Sequence, residues 1–179
     1  MSDLDQRMLL HDMADRINTV ADHLPLTDQI QPDPALSEIL DDEVRHLARL
    51  LGYLAGESAF RHRAATRYPH QPTATDRRTT LALARAAEPT GAALAALGAA
   101  VHQLGLLAHL AHLAHQQPGP ARDRSIAATH QHLVDRLGDA RTHLAHAAKQ
   151  LRATADTQVT PAATVPRPPA ASAAASRNR

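Results

Sequence analysis

The stretch 125–151, SIAATHQHLVDRLGDARTHLAHAAKQL, places Ile126, His130, Leu133, Leu137, Ala140, Leu144, Ala147 and Leu151 at alternating steps of four and three residues. That alternation keeps the side chains on one face of a helix with about 3.6 residues per turn. A half-buried strand would instead alternate at every second residue. The seam holds for about seven turns, so it predicts a long amphipathic helix that must be covered by others.

Three more such segments precede it. Leu10, Met13, Ile17, Val20 and Leu24 predict a first helix from a cap at Ser2 to about Leu24, where Pro25, Pro32 and Pro34 end the pattern. Asp33 followed by Pro34 is a cap and first-turn pair. It predicts a second helix to about Arg67 with Leu36, Leu40, Val44, Leu47, Leu51 and Leu54 as its seam, stopped by YPHQP at 68–72. A third helix starts near Thr75 or Asp76 and reaches about Gln116. Pro89 within EPTG (88–91) is expected to kink or divide it, because proline has no N–H to donate. QQPGP at 116–120 is a turn.

Beyond Thr154 the chain becomes rich in Pro, Ala, Ser and Thr without a periodic face, which predicts a helical domain over 1–154 and a disordered tail over 155–179. The expected fold is all-α: an antiparallel four-helix bundle with up-down-up-down connections.

Composition agrees. One Phe, two Tyr and no Trp leave Leu and Ala to fill the core, which suits close-packed helices and not a sheet. All basic residues but Lys149 are Arg, in a chain also rich in Ala, Pro, His and Thr. This is the mark of a GC-rich bacterial genome, and it gives the 13 histidines a compositional origin. The lack of Cys excludes disulfides, thiolate metal sites and cysteine nucleophiles. MSDLDQR at the start has no basic, then apolar, signal pattern, and the expected compartment is the cytoplasm.

Charge is uneven although the net is +1. Residues 1–43 carry eleven acids against Arg7 and Arg16, whereas residues 44–85 carry eight Arg against Glu57 and Asp76. Arg61, Arg63, Arg67, Arg77 and Arg78 bracket the second turn and are the candidate phosphate-binding residues, guanidinium being suited to that role. The same end of the bundle holds Asp3 and Asp5, with Asp12 and Asp15 farther along. The two sets are therefore expected to balance within the molecule or between copies.

His109, His112 and His115 recur every three residues, away from Leu106, Leu110 and Leu113, and read as a polar or boundary face. With His130 in the fourth seam, His109 and His112 form the candidate metal set. The spacing argues against it, because metal-binding helices offer pairs at four or His with a carboxylate. Glu43 and His46 supply Glu-x-x-His once, where a di-iron bundle needs two copies. His130 is expected to be a satisfied core histidine.

The run from Pro89 to Ala121 carries no Asp, Glu, Lys or Arg. His102, Gln103 and His109 interrupt it and much of it is Ala or Gly, so a central bundle helix is expected and not a membrane span. Glycine-rich phosphate loops and serine-hydrolase motifs are absent, and the segment after EPTG lacks the Arg, Asn or Gln of a DNA-reading helix. The expected function is a non-enzymatic helical scaffold or adaptor, without cofactor, that binds protein partners or copies of itself through helix faces. Association with nucleic acid through the Arg-rich turn is the alternative, and a histidine-rich metal-binding bundle is a third.

Overall fold

The computed structural model describes residues 2–26, 30, 34–116 and 119–158. They form α1 (Asp3–His23), α2 (Pro34–Arg67), α3 (Ala74–Gln116) and α4 (Pro120–Thr157), with no strand among the described residues.

The ends follow local chemistry. Ser2 Oγ accepts from the Asp5 N–H at 3.2 Å and Asp5 returns the bond to the Ser2 N–H at 2.9 Å, closing a capping box on α1. Leu24 then turns extended ahead of Pro25. α3 begins slightly earlier than expected because Thr73 is its cap, with Asp76 as the reciprocal partner at the third helical position. Gly119 precedes Pro120 at the first position of α4, where a missing N–H costs nothing. α4 runs past the expected domain limit at Thr154 to Thr157, and Ala155 is fully buried there. The Asp33 cap, and the part of the expected tail over 159–179, lie outside the described residues.

Named pairs give the helix directions. His11 lies 3.6 Å from Asp156, Arg152 donates to Asp15 at 2.7 Å, and Arg141 donates to the Leu24 carbonyl at 2.8 Å, so α1 and α4 are antiparallel. Gln158 donates to Thr79 and Arg122 to the Leu113 carbonyl, so α3 and α4 are antiparallel too. His23 meets Glu43 across α1 and α2, and Leu51 packs at Gly91 across α2 and α3. α3 and α4 share the broadest contact, α1 packs on α4, α2 packs on α3, and the α1–α2 edge is narrow. The bundle is up-down-up-down, as expected.

α1 is the shortest helix, and buried Leu24, Pro25 and Ile30 continue along α4 beyond its end. The side chains of α4 hold them there. Besides the Arg141 bond, His130 Nε2–H donates to the Ile30 carbonyl at 3.1 Å; this histidine, expected within the α4 seam, lies half-buried on its flank, and Thr129 is the buried residue there.

The core is leucine against alanine. The Thr79–Gln158 and Leu113–Arg122 pairs set a register in which, at 1.5 Å per residue, Leu144 is roughly level with Ala93, Leu137 with Ala100, Leu151 with Ala86 and Leu97 with Ala140. All eight are buried. A large side chain on one helix facing a small one on the other permits close packing without aromatic residues.

Three further expectations change. In α2 the buried positions are Leu36, Leu40, Glu43, Leu47, Leu50 and Leu54, while Val44 and Leu51 lie on the flank. This set keeps the four-three alternation unbroken, at the expense of taking a carboxylate into the seam. In α3 the innermost residues of the histidine-bearing part are Leu104 and Leu107, and Leu106 is exposed. Pro89, finally, does not divide α3. The helix continues through it, with Pro89 itself buried and Thr90 Oγ1 donating to the Ala86 carbonyl at 2.7 Å. Packing on α2 and α4 keeps the helix continuous across the lost backbone bond.

Among the described residues α3 is the one helix long and apolar enough to cross a membrane, and 33% of its most apolar 18-residue stretch is buried. One face of α3 enters the core. The exposed face of that stretch is made of Ala, Gly, Val, His and Leu106.

Candidate functional site

No residue of α2 beyond Leu54 is buried, and its last turns line a cleft against α3. The cleft, of about 630 Å³, opens at the corner made by residues 68–73. Phe60, Ala64 and Tyr68 line its α2 wall, and Leu81 and Ala84 its α3 wall. Phe60 is 60% exposed, Tyr68 49% and Leu81 48%. The single Phe and one of the two Tyr of an aromatic-poor chain are thus spent on the surface, on one feature. A cluster of exposed large apolar side chains is informative in a way that single exposed residues are not.

The arginines of the turn divide into groups. Arg61 and Arg77 line the cleft, together with His62 and Asp76. Arg61 Nε donates to Glu57 at 2.7 Å and its side chain is nearly buried; Arg77 donates to the Pro72 carbonyl at 3.1 Å. Arg67 sits with its guanidinium 5.8 Å from the ring centre of Tyr68, in cation–π geometry. Arg63 and Arg78 are exposed outside the lining. Of the acids of α1, Asp5 serves the Ser2 cap, Asp12 pairs with Arg16, and Asp15 with Arg152.

Behind the cleft a polar network ties three helices together. Gln6, 1% exposed, donates from Nε2 to Asp76 Oδ1 at 2.6 Å and accepts from Thr79 Oγ1 at 2.7 Å, and Gln158 donates to Thr79 at 3.3 Å. Desolvation pushes the Asp76 carboxyl up, but hydrogen bonds from the Thr73 backbone, the Thr73 hydroxyl and Gln6 together outweigh it and hold the group below the usual carboxylate range. A carboxyl whose folded pKa is depressed stabilises the fold above its unfolded value, and the contribution is lost as pH falls through the folded value. Asp76→Asn is accordingly expected to cost about 1 kcal/mol at pH 7, with the difference from the wild type shrinking as pH falls below the ordinary carboxylate range. Urea melts of both proteins at several pH values check this, and a difference independent of pH would contradict it.

The histidines do not assemble. Among the described residues no three His, Asp or Glu side chains are placed to hold a metal ion. His109, His112 and His115 are exposed on α3, Gln116 Nε2 donates to His112 at 3.0 Å, and His130 is engaged with Ile30. Two other histidines meet a buried carboxylate. Glu43, 7% exposed, accepts from His23 Nδ1–H at 3.0 Å, and its Oε2 is 3.7 Å from His46 Nδ1 without a hydrogen bond. The Glu-x-x-His spacing of Glu43 and His46 was visible in the sequence, but their meeting with His23 depends on the antiparallel α1–α2 contact.

The apolar part of the cleft was not singled out in the sequence. Its signal was present as Phe60, Ala64 and Tyr68, four apart on one helix face beyond the last core leucine. Known protein-family models, curated proteins and solved structures provide no match to this chain.

Proposed function

We propose that this protein is a non-enzymatic helical adaptor that docks protein partners, or a second copy of itself, at the α2–α3 corner. The observation that carries the reading is the exposure of Phe60, Tyr68 and Leu81 on one cleft. Exposed aromatic residues that share a concave apolar surface are characteristic of binding hot spots, where a partner excludes water from them.

The test places a photo-crosslinking residue at Phe60, Leu81 or, as a control, the exposed Asp139 of α4 in the chain expressed in its source cell. A discrete protein adduct from positions 60 and 81 but not 139 is expected. Adducts of equal yield from all three, or none from the cleft, would overturn the reading.

Nucleic acid is the second reading, and the outward placement of Arg63 and Arg78 beside the cleft favours it. It requires affinity for duplex or single-stranded nucleic acid that falls steeply with salt and is lost when Arg61, Arg63, Arg77 and Arg78 become Gln. For the adaptor, binding at physiological salt is expected to be negligible.

A further inference from the structure

We infer that the segment received by this cleft is an acidic amphipathic helix; the inference rests on the docking function proposed above. The argument begins with shape. Two antiparallel helices form the walls, and the groove between them runs along Phe60, Ala64 and Tyr68, eight residues or about 12 Å of helix rise. That length suits an incoming helix of two to three turns, whose anchors at i, i+3 or i+4 and i+7 occupy one face. Ala64 and Ala84 leave space where larger side chains would close the groove, and Phe60, Tyr68 and Leu81 rise on either side of it.

Charge decides the chemistry of that helix. From residue 55 to residue 85 the chain carries Arg61, Arg63, Arg67, Arg77, Arg78 and Arg85 against Glu57 and Asp76. Glu57 is paired with Arg61, and Asp76, held by the neutral donors of Thr73 and Gln6, keeps its charge, so the arginines of this stretch outnumber its acids by four. A partner seated in the groove therefore meets a positive rim around an apolar floor. A helix with leucines on one face and carboxylates on its flanks complements both, whereas a basic helix is repelled by the same rim.

The experiment uses the full chain and three labelled peptides of about 16 residues, long enough for four turns of helix. The first has leucine on one face and Glu on the flanks, the second has Lys in place of Glu, and the third keeps Glu but has Ser in place of leucine. Fluorescence anisotropy at physiological salt is expected to show the first binding about tenfold or more tightly than either other. Leu81→Glu, a change at an exposed position, is expected to weaken it by a similar factor, and Arg77→Gln with Arg78→Gln is expected to weaken it and flatten its salt dependence. If the Lys peptide binds as well and Leu81→Glu weakens both, the cleft docks helices but the acidic assignment is wrong. Equal binding of the Glu/Ser peptide marks a site for polyanions and overturns the inference. Binding of no peptide, or binding indifferent to Leu81→Glu, overturns the inference and removes the cleft from the proposed function as well.

Discussion

Leu144→Ala is expected to lower the unfolding free energy by about 2–5 kcal/mol, and His143→Ala, one residue away, by much less than this. Leu144 is fully buried in the seam of α4, at the level of Ala93 on α3. The small partner makes the site vulnerable. Neither Ala93 nor the adjoining core residues can grow into the space, so the truncation loses both the transfer energy of the side chain and the contacts of the cavity wall. His143 is half-buried on the flank and has no seam leucine to support. Urea denaturation of the two variants measures the contrast. Equal losses would mean that the face of α4 is rotated from the one described, whereas a loss at Leu144 alone supports the α3–α4 register.

A change in the opposite direction is expected from Gly98→Ala, Gly105→Ala and Gly138→Ala made together, with a gain of about 1.5–3 kcal/mol. All three glycines are exposed inside helices, and a Cβ at any of them meets no atom within 4 Å. The gain comes mainly from the unfolded chain, which has fewer conformations to lose once the glycines are replaced. Because a Cβ at each site meets no other group, the increments are expected to be nearly additive. Thermal melting, read as an increase of several degrees in Tm, tests it. An unchanged or lower Tm would show that α3 and α4 are not regular helices at these positions.

Much of the fold was legible because it depends on local periodicity and local hydrogen bonds. The Ser2 cap, the stop at Leu24 and Pro25, and the start of α4 at Pro120 each involve residues within a turn or so of one another. The α4 seam was read correctly from Leu133 to Leu151 because seven turns of alternation average out the ambiguity of any single residue. In α2 the same method placed Val44 and Leu51 inward. There the pattern offers two adjacent faces, and a rule that puts charges outside chooses the one without Glu43.

The sequence by itself determined four helices, their order and their approximate ends, since these follow from side-chain spacing and from groups that cap or break a helix in place. Tertiary structure decided what local rules leave open. Glu43 is in the seam because antiparallel packing brings His23 of α1 to its carboxylate at 3.0 Å. α3 passes through Pro89 unbroken because it is packed against α2 and α4. Phe60, Tyr68 and Leu81 belong to one cleft because α2 extends past its last core leucine while still paired with α3. Each depends on which distant segment arrives opposite, and that is set by the summed packing of whole helices, which spacing along one helix does not encode.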